Sequence, residues 1–242
     1  MKKRMKTELD IWLDKWRDSK IRTPFNLSPE QHSKNLVPHQ ELLECPDTSW
    51  LWGTCWSRQA AILINPRWIL ASYHWRYGVG KKVFFVDPKT NELFSRKITH
   101  TVSIGNEGDD LTISKLDSDV TEVPIVNLPP VSRILKSGTR LLTTLDGPQI
   151  FPATSKGSYK TITFSKTGKL ISINRQLRVS VSGNGIYPGD SNHPVFAPIN
   201  NKMCAVCIYN IDLQNNDGAG TYLGRRDIQN NINEVIFNYH NS

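Results

Sequence analysis

Tyr187-Pro188-Gly189-Asp190-Ser191-Asn192-His193-Pro194-Val195-Phe196 is the stretch on which the fold turns. Glycine, aspartate and serine are ordinary turn residues, so Gly189-Asp190-Ser191 says little by itself. Its C-terminal neighbours are more informative: a proline, then the apolar run Val195-Phe196-Ala197, which reads as a strand leaving a tight turn. A serine held on such a turn presents its hydroxyl. The amides of Gly189 and Ser191 converge beside it, the geometry an oxyanion needs. A serine hydroxyl is a weak nucleophile without a neighbouring base, so a histidine and an orienting carboxylate must be found elsewhere.

Both precede it in the chain. Trp68-Ile69-Leu70-Ala71-Ser72-Tyr73-His74 is an apolar strand running into a small-residue turn that ends in a histidine. Asp109-Asp110-Leu111-Thr112-Ile113-Ser114-Lys115-Leu116 places carboxylates at the mouth of an alternating strand. Leu111 and Ile113 set its phase, which favours Asp110 as the carboxylate facing His74 and leaves Asp109 as a turn or helix-cap-like acceptor. Residues 65–74, 110–116 and 189–194 together resemble the three signature blocks of the trypsin/chymotrypsin-like serine peptidases. The order His, Asp, Ser is that family's and differs from the subtilisin and α/β-hydrolase orders.

The resemblance spans about residues 50 to 240 and implies an all-β fold. It consists of two six-stranded antiparallel β-barrels, with an N-terminal helical extension and a C-terminal helix added. The expected division is 1–40 for the extension, 41–125 for a first barrel carrying His74 and Asp110, and 126–242 for a second carrying Ser191. It also implies a serine endopeptidase that cleaves a protein or peptide substrate without a cofactor or metal. His74, Asp110 and Ser191 would be catalytic, Gly189 and Ser191 would supply the oxyanion hole, and Gly185, Asn210 and Asp212 would line the substrate site. Two alternatives stand beside it: an inactive module that keeps the fold for binding, and a basic-surface binder of anionic partners.

Two departures from the family pattern bear on chemistry. Asn192-His193 stand where two glycines are usual; asparagine tolerates unusual backbone angles, and His193 narrows the leaving-group side. No Arg-Ile-Val-Gly-Gly activation sequence occurs near the start of the barrel. Asp190 therefore needs a partner other than a freed N-terminus, and an arginine from the basic second half suits it. The family's disulfide beside the histidine is also missing, its two places being held by Trp75 and Gln59, so packing is expected to replace it.

Four cysteines, Cys45, Cys55, Cys204 and Cys207, are too few for a disulfide scaffold. Cys204 and Cys207 have zinc-ligand spacing, but residues three apart on a regular strand point to opposite faces, so free thiols are expected. No apolar run is long enough to span a membrane. Glu8, Asp10 and Asp14 interrupt what would be a signal core, so an intracellular location is expected.

The formal net charge is +8. Residues 131–180 hold nine bases (Arg133, Lys136, Arg140, Lys156, Lys160, Lys166, Lys169, Arg175 and Arg178) against one acid, Asp146. That excess matches the charge of the whole chain and offers a surface to an anionic partner.

Along the chain, Thr7 caps a helix with Leu9, Trp12, Leu13 and Trp16 on one face and Asp10 at the capping-box position. That face must be buried on the barrels, a partner or a membrane surface, and the chain's own barrels are the expected site. Ser28-Pro29-Glu30 can begin a second short helix. Strands are read at 60–64, 68–71, 82–86, 94–104 and 111–116. After a proline-bounded crossover at 123–130 they resume at 137–144, 160–164, 169–174, 176–181, 195–197, 203–210 and 218–224. Asp227 can cap a closing helix that buries Ile228, Ile232, Val235 and Ile236.

Overall fold

The computed structural model describes residues 6–27, 34–56, 59–106, 108–131, 133–145, 149–156, 162–164, 170–173, 176–181, 190–213 and 217–240. The first barrel is built from β1 (Thr54–Trp56), β2 (Ala60–Asn65), β3 (Trp68–Ser72), β4 (Lys82–Val86), β5 (Leu93–Ile104) and β6 (Leu111–Leu116). Its strand order is β1-β2-β3-β6-β5-β4, and the pairing of Trp56 with Phe84 closes it. All neighbours run antiparallel. β3 is buried at every residue: it touches the second barrel as well as its own core, and Trp68 meets Tyr239 of the C-terminal helix edge-on at 5.6 Å.

The second barrel uses β7 (Arg140–Leu145), β8 (Gln149–Lys156), β11 (Gln176–Val181), β12 (Pro194–Ile199), β13 (Lys202–Asp212) and β14 (Asp217–Tyr222), in the order β11-β14-β13-β12-β7-β8. β9 (Ile162–Phe164) and β10 (Leu170–Ile173) stand apart as a two-stranded hairpin, so these two segments do not continue the barrel as the sequence suggested. β8 takes the place expected for them. Sequence reading passes over it because Pro152 interrupts the run and a proline cannot donate to a ladder. Residue 152 nevertheless pairs with Leu142, and β8 joins β11 through residues 153–156.

One of the register shifts in the sheets bears on the cysteines. Val195 pairs with Cys207 but Phe196 pairs with Ala205, so β13 carries a bulge at Val206. The extra residue shifts the strand's phase, and Cys204 and Cys207 both join the core of the second barrel. The opposite-face expectation for this pair is therefore wrong. All four cysteines are free and buried. Burial pushes their thiols up, to about 11 at Cys45 and Cys204 and about 12 at Cys55, and further still at Cys207.

The N-terminal helix α1 (Glu8–Arg17) has the expected capping box, with the Asp10 amide donating to Thr7 Oγ1 at 3.2 Å and the Thr7 amide to Asp10 Oδ2 at 3.0 Å. Leu9, Trp12, Leu13 and Trp16 are buried. Trp12 stacks on Trp16 and meets Trp50 at 6.3 Å; Trp50 meets Phe196 of β12 at 5.7 Å. This aromatic series carries the helix onto the second barrel, where Arg140 pairs with Asp10 and Asp14. Two one-turn helices, α2 (Gln40–Leu43) and α3 (Ser49–Trp52), lie between α1 and β1 and have no sequence signal strong enough to predict. The second helix expected from Ser28 lies outside the described residues.

The closing helix α4 (Arg226–His240) starts one residue before Asp227, which therefore sits in the first turn instead of capping it. There its carboxylate faces Arg225, and the acid also suits the helix N-terminus. Ile228 and Ile232 are fully buried, with Val235 and Ile236 packed beside them.

Candidate active site

The pairing of β3 with β6 brings the histidine and the carboxylate together. Ser72, the last residue of β3, pairs with Leu111, the first of β6. His74 lies two residues beyond one end and Asp110 one residue before the other, so the two turns start side by side. The Tyr73 amide donates to the Asp110 carbonyl at 3.0 Å, and the His74 amide to Asp110 Oδ1 at 2.9 Å. Asp110 adopts φ 50°, a left-handed angle that aspartate tolerates better than most residues.

Asp110 Oδ2 also accepts a short hydrogen bond from Nδ1 of the His74 ring. A carboxylate only accepts, so Nδ1 carries the proton and Nε2 of the neutral ring is a bare acceptor. Ser191 Oγ lies 2.8 Å from that Nε2. The hydroxyl is thus aimed at a base whose tautomer the carboxylate has set.

Asp109 does something different. Its carboxylate is almost completely buried and pairs with both terminal nitrogens of Arg225, one of them at 3.2 Å. It also accepts from the Asn106 amide at 2.9 Å, and its carbonyl accepts from Thr221 Oγ1 at 2.6 Å and Asn210 Nδ2 at 3.3 Å. Gly105 turns the chain here at φ +78°, where a Cβ would lie 2.6 Å from Asp109 Oδ2. Asp109 therefore anchors the loop to the second barrel while Asp110 faces the histidine. Arg225 keeps its proton firmly: partial burial works against the charge, but hydrogen bonds to Asp227 and Asp109 outweigh it.

On the second barrel, Asp190, Asn192 and His193 are all buried around a partly exposed Ser191. His193 Nδ1 lies 2.9 Å from the Asp190 carbonyl. A carbonyl accepts only, so this nitrogen donates and is taken up by the Asp190 carbonyl. Asn192 takes φ 77°. Its Nδ2 donates to the Trp75 carbonyl at 3.0 Å and to Gln59 Oε1 at 3.3 Å. Gln59 and Trp75, where packing was expected to replace a disulfide, are thus linked by polar bonds to the turn that carries Ser191. Neither Asn192 in this role nor Arg225 is evident from the sequence. The left-handed position after Ser191 is the available hint for the first, and nothing local marks the second.

Of the remaining expected site residues, Gly189 and Gly185 lie outside the described residues. Asn210 and Asp212 lie on β13, where Asp212 pairs with Gly218, and the Asn210 amide is turned to the Asp109 carbonyl. Among the bases of 131–180, Arg140 is engaged by α1, and Lys156 and Arg178 by Asp217. Arg133 and Lys136 line a cavity of about 320 Å³ beside Arg140 and Asp10. Among the described residues no helix is long and apolar enough to cross a membrane, and no cluster of three His, Cys, Asp or Glu could hold a metal.

No protein-family profile matches the sequence, and no curated protein does. Solved structures do. A mutant of human heparin binding protein (CAP37) superimposes with a TM-score of 0.59 at 15% identity, over 78% of this chain and 93% of its own. Human heparin binding protein itself gives 0.56 at 16% identity, over 74% and 86%. Likeness at this identity carries the fold alone, and the fold is the trypsin/chymotrypsin-like double β-barrel.

Proposed function

We propose that the protein is a serine endopeptidase that cleaves peptide bonds in a protein or peptide substrate through an acyl-enzyme on Ser191. The observation that carries this reading is the position of the His74 ring, with Nδ1 on Asp110 and Nε2 2.8 Å from Ser191 Oγ. Ser191 attacks the carbonyl as His74 Nε2 takes its proton. The resulting imidazolium is stabilised by Asp110 and returns the proton to the leaving amine. Water then enters, is deprotonated by the same nitrogen, and releases the acyl group. The amides of Ser191 and Gly189 are assigned to the oxyanion, each donor contributing about 3 kcal/mol to the transition state. Gly185, Asn210 and Asp212 are assigned to substrate binding.

Incubation with a peptide library tests it: wild type should give a reproducible cleavage pattern that Ser191→Ala abolishes. Equal patterns from both, or none from folded wild type, would favour the inactive-module reading. An anionic partner for residues 131–180 is a second reading, supported by the heparin-binding names of the structural neighbours. It is weakened by the pairing of Arg140, Lys156 and Arg178 with acids of this chain.

A further inference from the structure

Asn192 is fully buried, and its side-chain amide makes four hydrogen bonds. Oδ1 accepts from the Ser72 amide and from Ser72 Oγ, both at 2.5 Å. Nδ2 donates to the Trp75 carbonyl at 3.0 Å and to Gln59 Oε1 at 3.3 Å. The orientation of the amide follows from its partners, because a backbone N–H can only donate and a carbonyl can only accept. Both acceptor sites and both N–H groups are used, so the group is saturated.

The partners' positions give these bonds their meaning. Ser72 and Trp75 flank His74, two residues before it and one after. Asn192 directly follows Ser191. One amide from the second barrel thus holds the histidine turn of the first barrel from both sides, while its own backbone N–H donates to the Tyr209 carbonyl at 3.0 Å and ties it into β13. The left-handed φ of 77° turns the side chain away from the course of β12 and into the first barrel. Glycine would accept that angle more readily but would supply none of the four bonds.

We infer that Asn192 is a positioning residue that sets the distance between His74 and Ser191 by stapling the two barrels at the site. The inference rests on the peptidase reading above. Its test is the inactivation kinetics of a fluorophosphonate probe on wild type, Asn192→Gly, Ser72→Ala and their double mutant, well below the melting temperature of each. Asn192→Gly keeps the backbone angle and removes the staple. Its maximal inactivation rate should fall about 10- to 100-fold, the cost of a small misplacement of reacting groups, with the probe's half-saturation changed less than about threefold. Ser72→Ala should lose about three- to tenfold, and the double mutant should be no slower than Asn192→Gly, because both act through one contact. Thr54→Ala, which removes a buried hydrogen bond to the Trp50 carbonyl away from the site, should lower the melting temperature without changing the rate.

Labelling of Asn192→Gly at the wild-type rate would overturn the inference and leave the peptidase reading standing. A double mutant whose losses multiply would also overturn it. Should Asn192→Gly not fold, Ser72→Ala decides, and an unchanged rate there would equally end it. Folded wild type that does not label at all would remove the peptidase reading and this inference together.

Discussion

Arg225 grips Asp109, the residue before Asp110, from the far side of the β6 loop. Asp109 is buried and Arg225 partly so, their side chains 4% and 10% exposed. The loop of the first barrel that carries Asp109 and Asp110 is therefore held by a charge just before the closing helix α4. Asp110 is fixed from behind as well as by His74.

Removing the cation should be costly, because it leaves a buried carboxylate uncompensated. Arg225→Gln is expected to lose about 3–5 kcal/mol of stability in denaturant titration. Adding Asp109→Asn should recover part of that loss. A stability unchanged by Arg225→Gln would show that the pair contributes nothing.

Asp227 carries a pH signature. Its hydrogen bond from Arg225 outweighs partial burial and holds its carboxyl below the ordinary 3.8. A carboxyl depressed in the folded state stabilises above its unfolded value, and that contribution is lost as pH falls through the folded value. Asp227→Asn should therefore be less stable than wild type at neutral pH, and the gap should narrow below pH 3.8. A gap that widens in acid would reverse the assignment.

The docked helix α1 should act as a permanent clasp. Burying Leu9, Trp12, Leu13 and Trp16 is worth on the order of 5–8 kcal/mol as an upper estimate, and the Arg140 pairs add to it. Deleting residues 1–25 should lower the melting temperature without raising fluorophosphonate labelling. A truncated protein that is equally stable and reacts faster would make the segment an inhibitory pro-region.

These features differ in how far they can be read from the sequence, and the difference follows from the range of the interactions. Five of the first barrel's strands, β2 to β6, are legible because residues such as Leu111 and Ile113, or Val83 and Phe85, recur on a local period; β1, only three residues long, carries no such pattern. The three blocks around His74, Asp110 and Ser191 are legible because turn chemistry is local too. β8 is not, since Pro152 reads as a strand breaker unless its neighbours β7 and β11 are known. The common core of Cys204 and Cys207 depends on a bulge that only the register with β12 reveals. Asn192 and Arg225 act across 120 and 116 positions of sequence, to Ser72 and Asp109. No window on the chain contains both partners.

Asp110→Asn tests the tautomer. An asparagine amide can donate to Nδ1 and place the proton on Nε2, where it cannot accept from Ser191. Peptide cleavage should fall on the order of 10⁴-fold with little change in stability. An activity within about tenfold of wild type would mean that His74 is oriented by something else.

The most direct test of the central claim is to treat the folded protein with a fluorophosphonate and map the adduct by peptide mass spectrometry. A single phosphonyl group on Ser191, formed in wild type and absent from His74→Ala, is the predicted result. No adduct on folded wild type, or an adduct on another residue that persists in Ser191→Ala, would contradict it.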